Sequence, residues 1–480
     1  MVGGYEKASA ADPATEQVQR RRATELRWSR RQALICCSIS AYASAGLLLL
    51  TGCARQSPAG KSSAVLPGAT TPAGHTPTQA EAVLSMTTWE TPMNGGRIYQ
   101  RQADAFHQEY PDIKINVQSF PTNYPTKIQT MIAGNVAPDL FGVNVEYFAK
   151  FAQDGVLLTL DSSIDADHRF DVADFYPAVF DYFRYGAHQY GIPKAWNPDP
   201  VLYYNKALFD AARLSYPTER WTWNDLLSAA QHLTERPSSG PVRQFGFART
   251  TDWEVCASLI WMNGGKFFSA DGHHCLLDQP AAQEALQWSA NLSTKWRVAP
   301  SVAELTDNSQ GHLFASGKVA MMTGIRGTIK QLRSVRSFGW DVTLFPQGTA
   351  GRAYALLSSC FSISAHSRYA AQAWQFLAYL NRPSTQVAVA ALGGGMPTRQ
   401  SVAKGTAWRQ PDLPPANEAA YVDAGQHLRA LPILPAMQAV SDLFNQQTTY
   451  LWRGEKSATT VTAALVPRIN QLLTGTTNPG

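Results

Sequence analysis

The residues able to do chemistry in this chain are two loop carboxylates, a His-His-Cys run and six cysteines. Glu90 with Asp199 offers a pair in principle, since glycoside hydrolysis needs two carboxyls about 5–10 Å apart. Nothing else supports an extracellular hydrolase or lyase: there is no G-x-S-x-G, H-E-x-x-H, P-loop or G-x-G-x-x-G. His273-His274-Cys275 resembles a metal cluster only until its setting is read, a glycine-flanked turn after Phe267-Phe268-Ser269-Ala270-Asp271-Gly272. Cys256 and Cys275 lie nineteen positions apart and match no zinc spacing. In an oxidising compartment they are the expected disulfide pair, with Cys360 left over. The expectation is a protein that is not an enzyme and uses no metal or cofactor.

Residues 1–52 read as a signal peptide and 53–82 as a leash. Arg20, Arg21, Arg22, Arg27, Arg30 and Arg31 precede a charge-poor stretch from Ala33 to Gly52, the layout of a secretory signal. Ser29-Arg30-Arg31-Gln32-Ala33-Leu34 looks like the twin-arginine address, which serves an export route for folded cargo. Leu50-Thr51-Gly52-Cys53 resembles the bacterial lipobox, which implies cleavage before Cys53 and lipidation of its thiol. A run of twenty residues is also long enough to span a bilayer as an uncleaved anchor. Both readings put the body on the outer face of the cytoplasmic membrane. The segment after Cys53, made largely of Ser, Thr, Pro, Gly and Ala, buries too little apolar surface to fold and reads as a flexible tether.

Charge changes once the leader is set aside. The whole chain carries +5, but residues 1–31 hold seven Lys/Arg and four Asp/Glu, leaving 34 basic against 32 acidic residues, or +2. Such a body has no electrostatic footprint for nucleic acid.

The remaining 400 or so residues exceed one average domain. Val83–Met86 is strand-like, and Tyr99, Ala103, Phe106 and Tyr110 recur at helical spacing before Pro111. Ile113, Ile115 and Val117 alternate with polar residues, which predicts a half-buried strand. A helix around Thr126–Ala133 and a strand through Leu140-Phe141-Gly142-Val143 complete a β-α-β-α-β order. That order argues for an α/β fold with a mainly parallel sheet. Helical sequence fills most of 205–320, late strands follow near Phe338–Leu344 and Ala355–Ser364, and an apolar helix runs from Ala370 to Leu380.

Taken in order, these phrases resemble the family 1 extracellular solute-binding proteins of ABC sugar importers, the maltose-binding-protein-like group. The pieces are Trp89-Glu90, EYPDIKINV, APDLFGVN, FAQDGVLLTLD, GIPKAWNPDPVLYYNKALFD, ERWTWNDLLSAAQHLTE, WMNGGKFFSADG, FASGKVAMMTG, FSISAHSRYAAQAWQFLAYL and GGMPTR. The resemblance covers 83–475 and implies a two-lobed periplasmic-binding-protein fold (type II), with a hinge between discontinuous lobes and ligand in the interlobe cleft. The expected division is 83–195 plus 326–358 for lobe one and 196–325 plus 359–475 for lobe two. It also implies a monomer that takes up a mono- or oligosaccharide and delivers it to membrane permease subunits. A ligand sensor that reports to a receptor is the alternative with the same fold.

A sugar presents hydroxyls at its edge and C–H groups on its faces, so its site wants flat aromatics and fixed polar groups. The loops that match the family supply Trp89 and Glu90, Asn144, then Trp196, Asn197 and Asp199 at the lobe crossover. Trp253, Trp261 and Asn263 come from the second lobe, and Gly324, Arg326 and Ser358 face the cleft by the same carry-over. Where the family commonly has Gly, a small residue, then Trp, this chain has Gly324-Ile325-Arg326. A guanidinium there admits an anionic ligand, a uronate or polyol phosphate, held by two parallel hydrogen bonds. The alternative is an Arg paired with Glu or Asp at the lip.

Overall fold

The computed structural model describes residues 81–90, 98–307 and 309–474. The signal peptide, Cys53 and nearly all of the tether lie outside the described residues.

Strand β1 (Ala82–Thr88) buries Leu84 and Met86, helix α1 (Ile98–Glu109) buries Ile98, Tyr99, Ala103 and Phe106, and β2 (Ile113–Ser119) follows. The strand alternation read from Ile113 and Ile115 is real, and β2 lies parallel to β1 from Ala82↔Ile113 to Thr88↔Ser119. Helix α2 (Tyr124–Ala133) leads to β3 (Leu140–Asn144), parallel to β1, and α3 (Val145–Gln153) starts where β3 stops. Strand β4 (Ile192–Asp199) ends this stretch.

The chain then changes sheets. Strand β5 (Val201–Asn205) pairs only within a second sheet, with β6 (Phe245–Ala248), β7 (Val319–Gly324) and β8 (Trp340–Leu344) in the order β8-β5-β7-β6. Between them α4 (Trp223–His232) begins at a capping box in which Thr222 and Asp225 exchange hydrogen bonds. Helices α5 (Trp253–Met262) and α6 (Pro280–Thr294) pack together. Strand β9 (Tyr354–Ile363) returns to the first sheet, antiparallel to both β3 and β4. Helices α7 (Ala370–Leu380) and α8 (Pro383–Ala391) come next, and a two-residue strand, β10 (Leu428–Arg429), extends the first sheet beside β9. The tail forms α9 (Met437–Trp452), packed on α3, α5 and α6, and α10 (Ala458–Thr474), packed on α6 and α9.

Sheet membership corrects the expected lobe boundaries. The first crossing falls between Asp199 and Val201, not at 195/196, because β4 keeps bonding to β9 as far as Asp199. Residues 326–344 stay with the second sheet through β8 instead of joining the first, and the expected departure to lobe two at 359 is not made there, since β9 stays in the first sheet from Tyr354 to Ile363. Residues 370–391 cover the first sheet: Ala373, Trp374, Phe376 and Leu377 share a core with Leu84, Met86 and Phe106.

The expected Cys256–Cys275 bridge is not made, and both are free buried thiols. Each is committed locally. Cys256 sits in the buried face of α5 with its Sγ 3.7 Å from the Thr251 carbonyl, whereas the Cys275 backbone N–H is held by Asn470 Oδ1 at 2.7 Å.

Candidate functional site

Register places the site. In the first sheet β1, β3 and β4 run in one direction and end at Thr88, Asn144 and Asp199. In the second, Val201 pairs with both Gly324 and Leu344, so the ends of β7 and β8 meet the start of β5, and β6 runs parallel to β7. The carboxyl ends of both sheets therefore converge on the crossing at Asp199 and Val201. Open α/β sheets place their ligands at such strand ends.

Trp89 and Glu90 extend from β1. The Trp89 ring is half-buried, edge-on to Tyr124 at 5.1 Å, with Lys194 Nζ 3.6 Å from its centroid. Gly142 makes this seat possible, because a Cβ there would stand 2.6 Å from Trp89 Cζ3. The Glu90 carboxylate accepts from Lys194 and Lys330, each at 3.2 Å. Burial alone would raise the Glu90 carboxyl, but the two ammoniums outweigh it and hold it at about 2. Lys194 belongs to β4 and Lys330 to the short helix after β7, so Glu90 ties the two sheets together. A carboxylate so engaged is a poor general acid.

The tryptophan at the crossover is not a platform. Trp196 is 2% exposed, gives its indole N–H to the Pro397 carbonyl at 2.8 Å and meets Tyr176 edge-on. It reads as a loop residue because polar neighbours flank it, yet it lies inside β4, which is covered on both faces. Asn197 is half-buried, with its Oδ1 unpartnered among the described residues, and Asn144 stands at the start of α3 without a side-chain cap bond. Ser358 donates to the Ala195 carbonyl at 2.9 Å, a link within the first sheet.

Arg326 is likewise interior. Its guanidinium has no exposure, donates to the carbonyls of Ala390 and Gly395 at 2.8 and 2.9 Å, pairs with Glu418 at 3.4 Å and stacks on Trp408. The expectation of a cleft-facing cation is corrected: Glu418 and the packed loop at 390–395 have consumed it. Gly324 sits against Tyr203, leaving no room for a side chain. Asn263 is also elsewhere, bonded to the Ala281 carbonyl, Glu284 and Thr349 in a surface groove shared with Trp223 and Trp288. Trp261 is half-buried with the Arg429 guanidinium 5.9 Å from its ring.

What gathers at the crossing is acid. Asp199, at the end of β4, is pushed up to about 8 by burial and by Asp252. Asp252 is raised by burial, and Glu254, one residue into α5, is raised further by burial and by Glu146 of α3. Ser258 Oγ joins the group, lying 2.6 Å from the Asp199 carbonyl and 3.0 Å from that of Glu254, while accepting from Ala355 N–H at 2.9 Å. Trp253, 2% exposed, sits between two of the acids in sequence, with its indole nitrogen unpartnered among the described residues. Sequence reading found Asp199 and Trp253 here and missed Asp252, Glu254, Glu146, Lys194 and Lys330. Acids at Asp252 and Glu254 look like ordinary helix-dipole partners at the start of α5, and that disguised them.

Known proteins share this architecture. The model of bacterial extracellular solute-binding proteins matches residues 90–387. A putative binding protein of Brucella abortus (strain 2308) is 24% identical over 391 residues, covering 79% of this chain and 91% of that protein. The sn-glycerol-3-phosphate-binding periplasmic protein of Escherichia coli (strain K12) is 26% identical over 283 residues, covering 56% and 62%. Among solved structures, an ABC substrate-binding protein from Listeria monocytogenes in complex with cycloalternan superposes with a TM-score of 0.75 at 27% identity, covering 82% of this chain and 99% of that one.

Proposed function

This chain belongs to the bacterial extracellular solute-binding protein family, and on that premise we propose that it captures a mono- or oligosaccharide and passes it to an ABC importer. Its place is extracytoplasmic, as the family's is. The observation that carries the sugar reading is the likeness, over nearly the whole body, to the Listeria protein complexed with cycloalternan. The site at the crossing supports it. Trp89 and Trp261 are the half-buried aromatics available to sugar faces, and Asn144, Asn197, Asp199, Asp252 and Glu254 supply acceptors for hydroxyls. Closure of two lobes around such a ligand is a hinge motion, and Asp199–Val201 and Leu344–Tyr354 are the two segments that bend. The proposed protein is a monomer, held at the membrane by a lipid on Cys53 that keeps it beside its permease.

A polyol phosphate is the second reading, favoured by the name of the E. coli relative. The engagement of Arg326 counts against it here. A thermal-shift screen of sugars and polyol phosphates separates the two, since a ligand at 100 times its dissociation constant adds about 2.7 kcal/mol. A shift with sugars supports the proposal; a shift confined to the phosphates overturns it.

A further inference from the structure

A surface groove of about 390 Å³ shares no lining residue with the crossing. Its floor is a pair of tryptophans, Trp223 at the start of α4 and Trp288 of α6, stacked with centroids 4.3 Å apart and planes 26° from parallel. Trp223 is 8% exposed, so the ring surface open to a ligand is mainly that of the half-buried Trp288. Asn224, Asn263, Glu284, Gln347 and Thr349 stand around it. This rim is fixed in advance. The Gln347 backbone N–H donates to the Trp221 carbonyl at 2.9 Å, its carbonyl accepts from Trp223 N–H at 3.2 Å, and Ala350 N–H donates to the Met262 carbonyl at 2.8 Å. Asn263 links Thr349 to Glu284, at 3.1 and 3.4 Å. The amide nitrogens of Asn224 and Gln347 donate to nothing among the described residues, and Gln347 Oε1 accepts only a long bond from Arg352 Nη1, at 3.5 Å.

We infer that this groove is a second carbohydrate site, which holds a short stretch of neutral oligosaccharide apart from the solute at the crossing. Its volume falls within the range of about 300–1,000 Å³ typical of small-ligand clefts. The Trp288 ring offers a flat apolar surface to the C–H face of a sugar. The free amides of Asn224 and Gln347 donate to its hydroxyls, and the exposed Glu284 carboxylate accepts from them. A purely apolar ligand would strip water from the same groups and leave them unpaired. Glu284 is the one ionisable side chain in the lining, so a uronate or phosphate would meet a like charge. The bonds from Gln347 and Ala350 to Trp221, Trp223 and Met262 make the groove move as one piece with α4 and α5, and lobe closure does not dismantle it. The chain then has two sugar contacts, one that closes and one that stays open.

The test is isothermal titration of the full chain in detergent with maltohexaose, cellohexaose and xylohexaose, and with a galacturonate hexamer as the charged control. At least one neutral hexamer should show a binding phase that Trp288→Ala weakens at least about tenfold. Should that variant not fold, Asn224→Ala with Gln347→Ala carries the same expectation, since both side chains stand on the rim. A tighter phase that survives these substitutions belongs to the crossing, so its absence would count against solute capture without touching the groove. Neutral hexamers that do not bind, or whose binding neither variant alters, overturn this inference and leave capture at the crossing intact. Equal binding of the galacturonate in the phase lost with Trp288 overturns it as well.

Discussion

Replacing Glu90 with glutamine should cost the fold about 3 kcal/mol at neutral pH. The Glu90 carboxyl stands at about 2 against an ordinary 4.5 because Lys194 and Lys330 overcome its burial. At about 1.36 kcal/mol per pH unit that difference amounts to roughly 3.4 kcal/mol. Water reaches only 18% of the side chain, so screening removes a minor part. The neutral amide would also leave the Lys194 ammonium, 6% exposed, with no counter-charge beside the Trp89 ring, the situation in which breaking a buried pair is expensive. The folded value lies below the unfolded one, so the contribution is complete above about pH 4.5 and is lost as pH falls toward 2. By the same linkage roughly 1.4 kcal/mol survives at about pH 3. Urea unfolding of both proteins across the range from neutral pH down to about pH 3 reads this directly. A variant within about 0.5 kcal/mol of the parent at neutral pH, the range of ordinary surface changes, or a difference that does not shrink on acidification, refutes the reasoning.

Four further outcomes are expected. Trp196→Ala should lose about 3–5 kcal/mol in urea unfolding, the cost of a large buried aromatic. Arg326→Ala should lose a comparable amount, because Glu418 would keep only Arg333, and a measured affinity for polyol phosphates should not change. Thiol titration should find Cys256, Cys275 and Cys360 unreactive in the folded protein and all three reactive after unfolding; a yield lower by two would restore the disulfide. Cys53→Ser should shift the protein from the membrane to the soluble fraction, and continued full membrane attachment after signal cleavage would contradict lipid anchoring.

The succession of strands and helices at the start of the body was legible because it depends on local patterning. Ile113 and Ile115 alternate with polar residues, and Tyr99, Ala103 and Phe106 repeat at helical spacing; each pattern survives into the fold. The site was legible only in part, since its partners are remote. Lys194 and Lys330 lie 104 and 240 positions from Glu90, and no local signal marks them. Arg326 looked available because Glu418, its counter-charge, is 92 residues on. Trp196 misled for a different reason: polar neighbours suggest a loop, but a strand covered on both faces can carry Lys194 and Asn197 so long as the lysine finds a carboxylate. The lobe boundaries failed where a single strand, β9, had to be assigned to one sheet by hydrogen bonds that sequence does not display.

The most direct test of solute capture is a calorimetric titration of the sugar giving the largest thermal shift, against the parent protein and an Asp199→Ala variant, with the sugar recovered afterwards. The expected result is saturable binding of one sugar per chain, weakened at least about tenfold by the substitution, with the sugar returned chemically unchanged. Unaltered affinity in the variant, or recovery of cleaved sugar, would contradict a binding protein whose ligand sits at the crossing between the two sheets.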